Sequence, residues 1–270
     1  MPVALSPSRA SDFMQCPLLY RFRAIDKLPE APSAAAARGT LVHAVLERLF
    51  DLPASRRTVE EACGLLPGEW TRLVAERPEL GILVDAGAES ADGPVAGVSE
   101  QVWFDTARVL VERWFTLEDP SRLEPAEREL YVEADLDGLV LRGYVDRLDV
   151  APDGRMRVVD YKTGRSPSPL FEGKALFQMK FYALVLWRMY GRLPTLLQLV
   201  YLGNGEIVRY EPREEDLRAV ERKVKALCVA IDRAAEIGDF RPNPSRLCDW
   251  CDHRALCPAW GGTPPPFPSR

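Results

Sequence analysis

The chain has 270 residues, 47% of them hydrophobic and 28% charged, with a formal net charge of −5. That length is enough for one large domain or for a core carrying an insertion, and the composition is ordinary for a globular protein. It excludes a membrane-spanning class, since no apolar run approaches the length of a span, and MPVALSPSRASDF lacks the basic-then-apolar pattern of a signal peptide, so a cytoplasmic location is expected. The acidic average argues against a uniformly basic nucleic-acid binder, but the charge is uneven. Residues 1–27 hold Arg9, Arg21, Arg23 and Lys27 against Asp12 and Asp26, and residues 241–270 hold Arg241, Arg246, Arg254 and Arg270 against Asp249 and Asp252, a balance of +2 at each end. A local basic track and scattered surface arginines both fit this distribution.

Residues 8–24 predict short helices broken at Cys16-Pro17, with Ser8 as N-cap. The Ala-rich stretch 31–38 leads into GTLVHAVLERLFDL, where Leu41, Val45, Leu46, Leu49 and Phe50 recur at helical spacing. Residues 54–127 read as a helical insertion interrupted around 85–99. The texture then changes: RELYVEADLDGLVLRGYVDRLDVAPDGRMRVVDYKTG alternates apolar and polar residues around two Asp-Gly turns, predicting antiparallel strands over 128–136, 139–150 and 155–162. A long helix over 172–190, a buried strand in TLLQLVYLG and a helix over 213–236 follow. The divisions expected are an N-terminal segment 1–37, a core helix 38–53, the insertion 54–127, a main core 128–240, a cysteine-bearing segment 241–262 and a flexible tail 263–270.

Turn chemistry predicts which side chains meet. Pro152-Asp153-Gly154 suits a three-residue hairpin loop with Gly in the left-handed position, a register that sets Asp146 opposite Asp160. Lys162, two residues further on, points to the same face. Asp137-Gly138 suits a two-residue turn that sets Glu129 opposite Asp146. Two readings fit these three acids and a lysine: a solvated sheet face with cross-strand ion pairs, or oxygen ligands converging on a hard divalent cation such as Mg²⁺ or Mn²⁺.

The run Gly143-Tyr-Val-Asp146-Arg147-Leu-Asp149, followed by Asp160-Tyr161-Lys162-Thr163-Gly164, resembles the G-x-x-D-R-x-D…D-Y-K-T-G signature of RecB-like exonucleases of the PD-(D/E)xK superfamily. Arg38-Gly39-Thr-Leu-Val-His43 and the pair Gln178/Tyr182 match that family's R-G-x-x-x-H and Q-x-x-x-Y motifs. The resemblance covers both ends, 38–50 and 128–203, but not 54–127. It implies an α/β (α+β) restriction-endonuclease-like αβββαβ core. It also implies metal-assisted phosphodiester hydrolysis, with Asp146, Asp160, the Tyr161 carbonyl and His43 as metal ligands. Lys162 is implied to position the attacking water, with Gln178 and Tyr182 orienting Lys162 or a phosphate. Whether one ion or two bind stays open.

Cys248, Cys251 and Cys257 form C-x₂-C-x₅-C, a spacing that suggests metal ligation before disulfides and needs a fourth ligand. Cys16-Pro-Leu-Leu-Tyr-Arg-Phe resembles the N-terminal member of the split cluster in iron–sulfur nucleases of the superfamily, such as AddB-type and CRISPR-adaptation nucleases. That resemblance implies a [4Fe–4S] cluster clamping the two ends; zinc is the rival occupant, with His253 as an alternative ligand. Cys63 and Cys228 read as buried small hydrophobes. No Walker A motif is present, because Gly173-Lys174 lacks the upstream Gly spacing and a following Ser/Thr, so unwinding would fall to a separate helicase partner. The expected function is a metal-dependent exonuclease on single-stranded DNA or DNA ends, in repair or recombination. A catalytically silent DNA-binding or scaffold module and a zinc-binding interaction protein are the alternatives.

Overall fold

The computed structural model describes residues 4–84, 99–167 and 172–268. Its centre is a mixed sheet of six strands among the described residues: β1 (Ala4–Leu5), β2 (Glu127–Leu136), β3 (Leu139–Val150), β4 (Met156–Lys162), β5 (Leu196–Tyr201) and β6 (Glu206–Tyr210). β2 pairs along one edge of β3. The other edge of β3 is shared, β1 pairing in parallel at Val140 and Leu141 and β4 pairing antiparallel from Arg147 to Val150. Between those two contacts β3 has no strand neighbour on that edge among the described residues, and this gap is where the candidate site opens. β5 then adds in parallel to β4, and β6 antiparallel to β5.

Each face of the sheet carries its own apolar core. On one side α1 (Pro7–Gln15), α2 (Pro17–Tyr20), α6 (Glu172–Tyr190) and α7 (Glu214–Ile237) bury residues such as Tyr20, Phe181, Leu184 and Val224 against Val132, Val145 and Val158. On the other, α3 (Ala34–Leu49), α4 (Val59–Glu76) and α5 (Glu100–Leu117) pack Leu46, Leu66, Trp103 and Trp114 against Val159, Tyr161 and Val200. Burial on both sides explains the near-continuous apolar run of β5. The core helix expected over 38–53 starts earlier and ends earlier: α3 begins at Ala34, where the Ser33 hydroxyl accepts the backbone N–H of Ala36, and runs to Leu49.

Both turns behave as their residues require. Asp137 and Gly138 have φ of 58° and 85°, the paired left-handed conformation of a two-residue hairpin. Gly154 sits at φ 84°, closing a loop in which its N–H donates to Ala151 O at 2.8 Å. The expected registers follow, with Leu136 opposite Leu139 and Arg147 opposite Val159.

The face assignments depart from strict alternation. Val145 is buried in the α6 core, yet Arg147, two residues on, turns to the opposite core and is 1% exposed. The pleat therefore slips between them, at Asp146, and the opposing Glu129 adopts a left-handed φ of 45°. Asp146 and Asp160 do not form a ladder pair, because the β3–β4 ladder stops at Arg147–Val159. Instead Asp146 Oδ2 accepts the Tyr161 backbone N–H at 2.7 Å, its side chain replacing a strand partner.

Arg147 explains the slip. Its guanidinium donates to both oxygens of Glu118, at 2.9 and 2.7 Å, and to the Tyr161 hydroxyl, while Trp114 Nε1 at 2.9 Å and Gln198 Nε2 at 3.1 Å complete the Glu118 carboxylate. Burial alone would raise the Glu118 carboxyl, but hydrogen bonds and charge from Arg147 outweigh it and hold it below its ordinary range. Because Glu118 directly follows α5, this pair ties the helical stretch 54–127 to the sheet.

Other differences have local causes. The N-cap of α1 is Ser6, accepting the Arg9 backbone N–H at 3.3 Å, since Pro7 presets the first helical turn and moves the cap two residues upstream of Ser8. β1 is too short to show a period, and β6 (EIVRY) is a half-exposed edge without clean alternation. The interruption expected around 85–99 falls almost wholly outside the described residues. Within the run 263–270, expected to be a flexible tail, Phe267 stacks on Phe240 at 5.7 Å and lies under the Arg21 guanidinium. Among the described residues no helix is long and apolar enough to cross a membrane.

Glu118→Ala strands a buried guanidinium, and urea unfolding should show a loss of about 3–5 kcal/mol, as for other broken buried pairs. A loss under about 1 kcal/mol, the level of an exposed pair, would remove Arg147–Glu118 as the tie between helices and sheet.

Candidate active site

The elements converge at the exit of β4, where Asp160, Tyr161 and Lys162 lie in sequence. α3 brings His43, whose Nε2 is 3.0 Å from the Tyr161 carbonyl oxygen and whose Nδ1 is 3.5 Å from Asp146 Oδ2. Asp146 comes from β3 at the slipped pleat, and Glu129 from β2. Among the described residues, His43, Glu129 and Asp146 form a three-ligand group, with one donor atom from each within 4.8 Å of the others. From α6, Gln178 Nε2 donates to Asp160 Oδ1 at 3.0 Å, while its Oε1 accepts from Lys162 Nζ at 3.0 Å. Lys162 Nζ is also 2.6 Å from Asp160 Oδ2. Gln178 and Tyr182, one turn apart, lie 3.5 Å from each other. The residues picked out by motif thus meet in one place, but in two subsets: His43, Asp146 and Glu129 with the Tyr161 carbonyl, and Asp160 with Lys162 and Gln178.

Glycines permit this closeness. A Cβ on Gly143 would lie 2.6 Å from Tyr182 Cε1, so only glycine at this edge of β3 admits the Tyr182 ring. A Cβ on Gly203 would lie 2.4 Å from the Gly164 backbone, where the Gly203 N–H donates to Gly164 O at 2.9 Å and brings the ends of β4 and β5 together.

The electrostatics are strongly negative. Burial, and then the charge of Asp160, push the Asp146 carboxyl up to about 7, although His43 and the Tyr161 N–H work the other way. Glu129 is raised too, by burial and by Glu47 and Asp160, with His43 opposing. Burial and the neighbouring carboxylates push the Tyr182 hydroxyl up to about 12. Carboxylates held close at this cost are groups that a divalent cation would relieve, and the oxygen-plus-imidazole donor set suits such an ion.

Glu47 escaped the motif reading. It lies one turn after His43 on α3 and lines the same pocket as His43, Glu129 and Asp146, so helical i,i+4 spacing was the signal that pointed to it. Glu118 carried no local signal, since its partner Arg147 is remote in sequence.

Cys16, Cys248, Cys251 and Cys257 line one pocket at the joined ends of the chain, walled by Leu18, Phe22 and Trp250. Backbone N–H groups approach two of the sulfurs, Asn243 N at 3.4 Å from Cys16 Sγ and Ser245 N at 3.3 Å from Cys248 Sγ. Burial raises the Cys251 thiol, and the other three cysteines add to the rise. Cys63 and Cys228 lie elsewhere in apolar surroundings, and burial raises both thiols, Cys228 to about 11. His253 borders the pocket, but its Nε2 is engaged by Glu30 at 3.0 Å.

Similarities to known proteins bear on this arrangement. The chain is 27% identical over 274 residues to the Gene 69 protein of Mycobacterium phage D29, covering 94% of this chain and 96% of the phage protein. It is 26% identical over 286 residues to the Gene 69 protein of Mycobacterium phage L5, with the same coverage. The crystal structure of a candidate exonuclease from Eubacterium rectale shares the fold with a TM-score of 0.59 at 15% identity, covering 93% of this chain and 87% of that one. The family model of the PD-(D/E)XK nuclease superfamily matches residues 4–258, a span that takes in the β3 and β4 carboxylates, Lys162, Gln178 and the cysteines. With that match over nearly its whole length, the chain belongs to the PD-(D/E)XK nuclease superfamily.

Proposed function

We propose that the chain is a RecB-like, divalent-metal-dependent DNA exonuclease acting on single strands or DNA ends, in repair or recombination. The observation that carries this reading is the spacing of His43 Nε2 and the Tyr161 carbonyl oxygen. They are 3.0 Å apart, beside Asp146 and Glu129. An imidazole nitrogen and a carbonyl oxygen held this close to two carboxylates form a donor set that a hard divalent cation could share. His43, Asp146 and the Tyr161 carbonyl would hold the cation, with Asp160 and Glu129 beside it. Bound there, the cation supplies Lewis-acid polarisation of a phosphate and a lowered pKa for an attacking water. The protein's own groups do the rest. Asp160 and Gln178 fix the Lys162 ammonium, which faces the pocket as a donor to the charge that develops on the phosphate. The Tyr161 N–H orients Asp146, and the buried Arg147 holds the Tyr161 ring from behind. A helicase would be a separate chain.

We also assign the four-cysteine pocket to a [4Fe–4S] cluster. Four thiols on one pocket with N–H groups directed at two sulfurs suit a thiolate-ligated cluster, and the apolar wall would shield it.

Cleavage of end-labelled DNA with Mn²⁺ or Mg²⁺ tests the first assignment. Asp146→Ala and Asp160→Ala should abolish cleavage while retaining DNA binding, and EDTA should do the same. Lys162→Ala should lose about 10²-fold or more in rate while still binding metal. Full activity in EDTA would sink the reading.

Without metal, Asp146 carries a raised pKa. Stability linked to its proton is present below the ordinary carboxylate range and is lost as pH rises to about 7. In EDTA, Asp146→Asn should therefore raise the melting temperature at pH 8 and lose that advantage near pH 4. An equal effect at both pH values would mean that Asp146 is not held at this electrostatic cost.

Anaerobically purified protein should be brown, with about four iron and four sulfide per chain. Cys16→Ser should bleach it and lower stability, whereas Cys63→Ser should leave the colour intact. One zinc and no sulfide would replace the cluster with a zinc site.

A further inference from the structure

We propose that Tyr144, braced by Tyr131, is a stacking platform for a nucleobase of a single-stranded DNA substrate; the inference rests on the nuclease reading above. The two tyrosines are direct register partners on β3 and β2, with ring centroids 5.3 Å apart and planes inclined at 57°. Tyr144 is 57% exposed and Tyr131 43%, an unusual state for paired aromatic rings. The Tyr131 hydroxyl is hydrogen-bonded to the Glu133 carboxylate, which fixes the lower ring and leaves Tyr144 to present its face.

Position supplies the ligand. Tyr131 and Tyr144 lie two residues along their strands from Glu129 and Asp146, about 6.8 Å at the rise of an antiparallel strand. That is one to two nucleotides from the carboxylates. Both tyrosines line a groove whose far wall is Gln178 and Tyr182, so groove and active site are continuous. Arg9 and Arg142 line the groove beside Arg23, which is paired there with Asp12 and Glu30, and Ser6 and Ser8 bring hydroxyls from the start of α1. On the other flank of the carboxylates, Glu47, Glu76 and Glu129 offset most of the basic residues, and the tyrosines there, Tyr161 and Tyr201, are buried. A DNA strand leaving the carboxylates therefore meets less repulsion, and an open aromatic face, on the Tyr144 side. Every base has a π-face, so such a platform tolerates any sequence, but it needs a base that is not already stacked in a duplex.

Binding of fluorescent DNA in EDTA tests the platform apart from chemistry. Tyr144→Ala and Tyr144→Leu should each weaken single-strand binding about tenfold or more while leaving hairpin-duplex binding within about twofold, and Tyr144→Phe should match wild type. An abasic site walked along the oligonucleotide should weaken wild-type binding most at one position, and Tyr144→Ala should be insensitive to that position. Equal losses on single strands and duplex, or none with either variant, overturn the platform. A wild-type chain that shows this binding pattern yet cleaves no DNA with Mn²⁺ overturns the nuclease reading instead. Cleavage of single strands with kcat and KM unchanged in Tyr144→Ala overturns the platform alone.

Discussion

The burial of Arg147 is the constraint on which the rest of the site depends. A guanidinium 1% exposed is tolerable only when fully paired, and Glu118, the Tyr161 hydroxyl and Asp149 supply that pairing. To reach them, β3 must turn Arg147 into the core that lies opposite the one receiving Val145. The pleat gives way at Asp146 and Glu129, and the β3–β4 ladder ends one pair early. Asp146 is then free to cap the Tyr161 N–H and to face His43, geometry that an unbroken ladder would deny it. The same guanidinium packs against the Tyr161 ring, whose carbonyl lies beside His43. A single buried charge thus sets the strand conformation and positions a backbone oxygen.

The negative charge at the site is the other side of this arrangement. A fold selected for stability alone would not press Asp146 and Glu129 together with their pKa values raised. The Lys162 ammonium does not neutralise them, because it is already held by Asp160 and Gln178. The site divides into a carboxylate part whose partner is the His43 imidazole and a lysine part held by Asp160 and Gln178. That division is what a reaction needs when a cation and an ammonium must act on one phosphate from different sides.

Much of this was legible in the sequence, and the rest was hidden for physical reasons. Asp137-Gly138 and Pro152-Asp153-Gly154 set both hairpin registers because left-handed backbone positions narrow the choice of turn so sharply. The convergence of His43, Asp146, Asp160, Lys162 and Gln178 followed from register and motif together. The slip at Asp146 could not be read, because alternation assumes an unbroken pleat and the residue that breaks it, Glu118, sits 29 residues before Arg147. The exposed Tyr131–Tyr144 pair was masked by its own alternation, since strand tyrosines usually signal core packing. Of the basic residues near the N-terminus, Arg21 and Arg23 proved to be spent on Asp26, Asp12 and Glu30, leaving Arg9 to line the groove beside the site.

The joined ends bear on the site through α1. That helix is capped by Ser6 on the groove and by Cys16 on the cysteine pocket, and its nine residues span about 14 Å. Its far end is held by C-terminal residues: Asn243 Nδ2 donates to Gln15 O at 2.8 Å, and the Leu18 N–H donates to Arg241 O at 3.3 Å. The helix buries Ala10 and packs Phe13 and Met14 against the core, whereas the segment 241–262 that holds its far end is built of short 3₁₀ turns. Ligation across Cys16 and the 248–257 cysteines would add to this hold, because a bound metal or cluster contributes folding free energy. In that arrangement the cysteine pocket needs no electron-transfer role to matter for substrate. By fixing one end of α1 it would fix the other, and with it the wall of the groove that Arg9 and Tyr144 line.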